Sequence, residues 1–193
     1  MKSQFSISMI TKEECSSILS AHHYLGGSFK SGFNVGLFCD GKLNGCLVFS
    51  PLPVPEIAVG AFGLERNDQG GLFDISRLCV SPEVQATEHN ISSWFVARAI
   101  KLLRKQTTTR AILSYADNDH HTGTIYRACN FNYYGLTTEK KDFWIKQENG
   151  SYKKHIRGKV KGLDGEWRPR SRKHRFLLVF DKSLTVRWKN EGL

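Results

Sequence analysis

The segment SSWFVARAIKLLRK at residues 92–105 is apolar on nearly every side, and AILSYAD at residues 111–117 follows it after a short polar link. A helix apolar all round has to pack against a sheet and be covered again from outside. An apolar run as short as AILSYAD reads as a strand buried inside that sheet. Ser92 or Ser93 is the expected N-cap of the helix. A helix pinned against a buried strand in this way restricts the chain to a layered α/β architecture.

The flanking segments extend the layers. FSISM alternates apolar and polar residues as a half-buried strand does, and it runs into Thr11-Lys12-Glu13-Glu14. Thr11 followed three residues later by Glu14 predicts a capping box, with Ile10 and Cys15 as its hydrophobic staple and a short helix to about Ser20. FNVGLFC and KLNGCLVFS flank Asp40-Gly41, which predicts an antiparallel hairpin. Pro51–Gly71 carries breakers at both ends and is read as an extended loop around the apolar piece IAVGAF. In LFDISRLCV the residues Phe73, Ile75 and Leu78 break a strict period of two, which calls for a bulge or a strand buried on both faces. TGTIYRA reads as a helix and FNYYGL as a strand, giving the order β-α-β-β-β-α-β-α-β around a mixed, largely antiparallel sheet flanked by helices. DFWIKQ, KKHIRGKV and HRFLLVFD are further expected strands, and the apolar FLLVF implies that the C-terminal part folds back onto the rest.

Charge divides the chain. Residues 140–193 hold 16 of the 28 Lys and Arg but only 6 of the 18 Asp and Glu, so residues 1–139 are balanced and the whole excess of +10 is C-terminal. Two parts are therefore expected: a charge-balanced domain over 1–139 and a basic, β-rich segment over 140–193 packed on it. Such segregation points to a polyanionic partner, with a solvated basic surface as the plainer alternative. Lys153, Lys154, Arg157, Lys159, Lys161, Arg168, Arg170, Arg172, Lys173 and Arg175 are the candidate phosphate contacts, and Trp144, Tyr152 and Trp167 the candidate stacking groups. There is no run of about 18 apolar residues and no apolar stretch behind Lys2, so neither a membrane span nor a secretory signal is indicated and a cytoplasmic location is expected. The five cysteines are scattered in apolar contexts and read as reduced core thiols.

Four clusters could carry chemistry. His22-His23-Tyr24 offers proton-transfer groups ahead of two glycines, or simply exposed histidines beside a packed tyrosine. Asp74-Ile75-Ser76-Arg77 puts two charges into an apolar strand; on a regular strand Asp74 and Arg77 face opposite sides, and Arg77 is either a ligand-binding group or half of an ion pair. Ser114-Tyr115-Ala116-Asp117 ends a strand and Thr122-Gly123-Thr124-Ile125-Tyr126 enters a helix, places where α/β folds set functional groups. Asp117 as a turn cap and Tyr126 as a core aromatic are the structural alternatives. His22, His23, His120 and His121 have no helical ligand spacing, which leaves a metal unassigned.

The element order, with Tyr126 five residues before Phe131 in YRACNF, resembles the GNAT acyltransferase fold. HHYLGG, DISRLCVSP, SSWFVARAIKLL and SYAD with HTGTIYRACNFNYYG together resemble the Mom family of phage DNA-modification proteins, over roughly residues 22–135. The resemblance implies a transferase that converts adenine N6 in double-stranded phage DNA to an N6-carbamoylmethyl form, shielding it from restriction enzymes that read the major groove. The setting would be the host cytoplasm. It implies His23, Tyr24, Arg77, Ser114, Asp117 and Tyr126 as catalytic candidates, with His23 or Asp117 as base and Arg77 and Ser114 steadying an oxyanion or the donor. Ser92, Ser93, Thr122 and Gly123 are the candidates for holding a small-molecule or carrier-bound group donor of unknown identity.

One departure bears on acetyl-CoA, the donor implied by the fold. The stretch Val84–Asn90, where GNAT enzymes carry a glycine-rich pyrophosphate loop, has no glycine and adds Glu88. Asn130 also stands where the family helix ends in Gly. Two other functions remain open on sequence: a conventional acetyl-CoA-dependent N-acetyltransferase, and a DNA-binding module on the same fold without catalysis.

Overall fold

The computed structural model describes residues 4–30, 32–156 and 158–191. Strand β1 (Phe5–Met9) leads into helix α1 (Lys12–His22), where Thr11 Oγ1 accepts from Glu14 N–H and the Glu14 carboxylate accepts from Thr11 N–H, the expected capping box. The hairpin of β2 (Phe33–Cys39) and β3 (Lys42–Pro51) turns at Asp40 and Gly41, both at positive φ, as a two-residue turn matched to strand twist requires. Strand β4 (Leu72–Val80) pairs with β3, and the register steps from Val48↔Arg77 to Phe49↔Ile75. Ser76 is therefore an extra residue, the bulge that the irregular apolar pattern called for.

Four local readings are corrected. Pro51–Gly71 is not an extended loop throughout: it contains helix α2 (Glu56–Phe62), opened at Pro55 and closed by Gly63 in the left-handed region. A further short helix, α3 (Pro82–Thr87), lies between β4 and helix α4 (Ile91–Gln106). Asn90, at φ 59, is the N-cap of α4, so Ser92 and Ser93 lie inside its first turn. In the C-terminal part, the strand expected in KKHIRGKV is confined to β8 (Tyr152–Lys154), and β9 (Gly165–Pro169) forms where no strand was expected.

The large sheet has the order β1-β2-β3-β4-β5-β10-β6, built with β5 (Ala111–Asp117), β6 (Asn132–Leu136) and β10 (Lys173–Val179). Every neighbouring pair is antiparallel except β4 and β5. On one face, Leu47, Phe49, Ile75 and Phe176 pack under α4, which contributes Phe95, Val96, Ala99 and Leu103. The opposite face is covered in two places. Cys15 and Leu19 of α1 pack with Cys46, Val48 and Cys79, while α2 and the C-terminal residues Leu184 and Trp188 cover Leu72, Leu113, Tyr134 and Leu177. Helix α4 buries one face against the sheet, but the expected outer cover is not found: Ala97, Arg98, Lys101 and Arg104 are exposed, so the helix is amphipathic and not apolar all round.

The change in charge at residue 139 is not a break in the sheet. Residues 140–169 supply β7 (Lys141–Lys146), β8 and β9 of a separate three-stranded sheet, β8-β7-β9. The chain then returns as β10, inserted between β5 and β6. The FLLVF run is core, with Phe176 and Leu177 fully buried. Among the described residues no helix is long and apolar enough to cross a membrane.

Candidate active site

Strands β4 and β5 pair in parallel only from Leu72↔Ala111 to Ile75↔Ser114. Beyond that point β4 runs on to Val80 paired only with β3, and β5 to Asp117 paired only with β10, so the sheet forks. A cleft of about 960 Å³ fills the fork, walled by the divergent strand ends, by His22 at the end of α1 with the three residues after it, and by the loop 118–123 with the first turn of helix α5 (Thr124–Ala128).

Asp74 sits where the strands part. It lines the cleft, is only 9% exposed, and its Oδ1 has no hydrogen-bond partner. Burial pushes its carboxyl up to about 7 against the opposing pull of Arg77. The bulge at Ser76 explains how Arg77 comes near: the extra residue resets the alternation, so Asp74 and Arg77 share a face, contrary to the expectation for a regular strand. Arg77 donates to the carbonyls of Ser76 and Ser28, at 2.7 and 3.1 Å, and forms no ion pair among the described residues. The sequence marks Asp74 as a charge in an otherwise apolar strand, but the family resemblance implies only Arg77 of that cluster as a catalytic candidate.

His23 and Tyr24 stack at 4.7 Å, and Tyr24 also meets His120 at 4.7 Å and His121 at 6.2 Å. His23 Nδ1 accepts the Leu25 N–H at 3.1 Å. The neutral ring therefore carries its proton on Nε2, and His23 can donate a hydrogen bond into the cleft but has no free nitrogen to take a proton. Burial, Arg77 and His121 all lower its pKa, holding it neutral. Among the described residues no group of three or more His, Cys, Asp or Glu is placed to hold a metal ion.

Asp117 is occupied. Burial raises its pKa, but hydrogen bonds from Lys173 Nζ, Ser171 Oγ and the Asp119 N–H together bring it down to about 2. A carboxylate so stabilised is a weak base; it ties the end of β5 to the start of β10, on the side of β5 away from β4. Tyr126 lines the cleft beside Phe131 and Phe176, and burial raises its hydroxyl to about 12, which keeps it a proton donor. Ser114 is fully buried and does not line the cleft. It faces the Tyr126 hydroxyl, although its Oγ meets no group in good hydrogen-bond geometry. Cys79 also lines the cleft, and burial holds its thiol protonated at about 11.

Of the four residues proposed for the donor, Ser92, Thr122 and Gly123 line the cleft and Ser93 does not; its Oγ bonds back to Asn90 O. Gly123 has φ +76, and a Cβ there would collide with the Phe176 ring, so its role is conformational. The α4 entrance offers no cradle for a pyrophosphate. Residues 82–93 contain no glycine, and Gln85 Nε2 is committed to Val80 O at 2.6 Å. Glu88 is turned to Gln4 and stays out of the cleft. The residues present therefore do not fit coenzyme A in the glycine-loop manner.

The expected phosphate contacts are largely engaged within the protein. Asp142 holds Arg170 through Nε and Nη2 and also pairs with Lys154. Arg168 lies between Trp144 and Tyr152, 5.0 and 4.3 Å from their rings, and bonds to Glu166. Arg172 donates to Thr137 O, Lys173 binds Asp117, and Arg175 stacks on Trp188. Lys153, Lys159 and Lys161 make no ion pair among the described residues, and Arg157 lies outside them. Trp167 is 56% exposed, with one edge against Phe143.

A largely antiparallel sheet forking at its one parallel pair is the fold of the GNAT acetyltransferases. The similar solved structures include the ribosomal-protein-S18-alanine N-acetyltransferase from Escherichia coli, with 12% identity, 98% of each chain covered and a TM-score of 0.55. A Bacillus subtilis acetyltransferase in complex with CoA is 14% identical over 92% of this chain and 98% of its own, with a TM-score of 0.52. A GNAT-family acetyltransferase from Streptococcus pneumoniae is 10% identical over 91% and 99%, with a TM-score of 0.54. Within that fold the chain belongs to the Mom protein family, which it matches over residues 4–191. No curated protein matches the chain.

Proposed function

We propose that this chain is a transferase that attaches a carbamoylmethyl group to N6 of adenine in double-stranded DNA and so protects phage DNA from restriction. The observation that carries the reading is Asp74, a buried carboxylate with an oxygen free of partners at the fork of the sheet, in a chain whose whole positive excess follows residue 139. Adenine N6 is a poor nucleophile because its lone pair is delocalised, so a positioned proton acceptor near neutrality is what the reaction needs. As the N6–carbon bond forms, the donor's leaving group departs with its bonding electrons and one N6 proton passes to Asp74. In this reading Arg77, His23 Nε2–H and the Tyr126 hydroxyl hold the developing negative charge. Asp117 takes no proton and keeps the cleft wall in place.

The cleft has the volume of an ordinary small-molecule site and can enclose one base, which would leave the duplex stack at a cost of a few kcal/mol. A binding module without chemistry would gain nothing from a buried carboxylate that opposes folding. The test is to express the chain in a bacterial host, digest the DNA to nucleosides and weigh them. The expected result is a deoxyadenosine species heavier by one carbamoylmethyl group in place of hydrogen. An unaltered deoxyadenosine pool at full expression refutes the reading.

A further inference from the structure

A second groove, of about 530 Å³, meets the cleft: Asn118 and Asp119 line both. Its other wall carries Lys140, Lys141, Arg170 and Arg172. Neither Lys140 nor Lys141 forms an ion pair among the described residues, and both are exposed.

The two arginines are held differently. Asp142 engages Arg170 through Nε and Nη2, so the pair fixes the guanidinium plane and leaves Nη1 outside that bond. Arg172 is anchored by Nε to Thr137 O at 2.7 Å, with Glu139 at 3.9 Å from Nη1. Against these four cations the groove sets only the carboxylates of Asp119 and Glu139. Pre-oriented guanidinium forks beside exposed lysines suit phosphodiester oxygens, which accept from both.

We infer that this groove carries the phosphodiester backbone of the DNA strand whose base enters the cleft. The inference rests on the DNA reading above and adds the path of the strand. A base in the fork has its flanking phosphates at the rim, and the rim on the β5–α5 side opens directly into this groove. Lys140 and Lys141 are then phosphate contacts, although they precede the cations expected from sequence, and Arg170 and Arg172 set the strand's direction. The carboxylate–guanidinium pair at Asp142 is in this view a positioning device, because it presents Arg170 without neutralising the rest of the groove.

The test is fluorescence anisotropy of a labelled adenine-containing duplex with the full chain, titrated over a range of salt. Lys140→Ala/Lys141→Ala is compared with wild type and with Lys12→Ala/Lys42→Ala, whose lysines lie on α1 and β3. Each phosphate contact contributes about 0.9 to the slope of log affinity against log salt. The groove variant is expected to flatten that slope by about 1.8, so that its affinity falls about tenfold less than the wild-type affinity between roughly 50 and 200 mM salt. The control is expected to keep the wild-type slope. Should the alanine variant melt early, Lys140→Gln/Lys141→Gln reads the same quantity with the side-chain bulk retained. A wild-type slope in the groove variant, or equal flattening in the control, overturns the inference while leaving DNA binding standing. A wild-type protein that does not bind the duplex overturns the DNA reading and this inference with it.

Discussion

Asp74 and Arg77 stand on the same face of β4 because Ser76 is an extra residue between them. The bulge gives the carboxylate a cation close enough to moderate its burial without forming a bond that would consume it. It also sets a buried carboxylate with an unpartnered oxygen at the base of the fork.

The same placement sets a pH dependence of stability. Asp74 has an ordinary value of 3.8 and sits at about 7 in the folded chain. Between those values the folded state binds the extra proton, so stability falls as pH rises through the window and stays lower above it. Asp74→Asn is expected to remove that decline and to be more stable than wild type at pH 8 by about 1–4 kcal/mol. Urea unfolding of both proteins from pH 4 to 8 measures it. Parallel stability curves would show that Asp74 is not buried as described.

Asp117 has the opposite sign. Its folded value is about 2, below the ordinary 3.8, so its contribution is present above the ordinary value and lost as pH falls toward 2. Asp117→Asn loosens Ser171 and Lys173 from β5 and is expected to cost about 1–2 kcal/mol at pH 7, reduced by the half-exposed lysine. Thermal melts at pH 7 and pH 2.5 measure it, the difference from wild type shrinking at the lower pH.

Gly123 is expected to tolerate no side chain. Its backbone is left-handed and Phe176 fills the space where a Cβ would go. Gly123→Ala should lower stability by about 2–4 kcal/mol and move Tyr126, three residues on, from the cleft wall. Chemical denaturation gives the first number, and a loss smaller than about 1 kcal/mol would contradict the packing.

In the small sheet, Arg168→Lys should behave as a disruptive change. The guanidinium lies over the rings of both Trp144 and Tyr152, contacts that a compact, strongly hydrated ammonium group replaces poorly. The expected effect is faster amide exchange confined to β7, β8 and β9, read by hydrogen–deuterium exchange, with β10 unchanged.

Local signals carried much of the fold. The Thr11–Glu14 box, the Asp40-Gly41 turn and the irregular β4 pattern each reflect physics that acts over a few residues. Helix α2 was hidden because its start and stop, Pro55 and Gly63, are also the residues that mark loops. The insertion of β10 between β5 and β6 depends on pairing Phe176 with Ser114, a contact across most of the second half of the chain, which no window of sequence displays. The site was legible as a set of neighbourhoods. The fork brought His23, Tyr24, Arg77, Asp117 and Tyr126 to one cleft and left Ser114 behind it. Their roles were less legible, because a backbone amide at Leu25 decides what His23 can do and a distant lysine decides what Asp117 can do. The sequence shows Asp74 as a charge in an apolar strand, but its place beside Arg77 depends on where in β4 the bulge falls, which alternation alone does not fix.

The most direct measurement is the fraction of altered deoxyadenosine in DNA from cells making Asp74→Asn, relative to cells making equal amounts of wild-type protein. Loss of a positioned proton acceptor typically costs 10²–10⁴ in rate. The expected result is a fall of about a hundredfold or more in a protein at least as stable as wild type. Wild-type levels of altered deoxyadenosine in Asp74→Asn would contradict it.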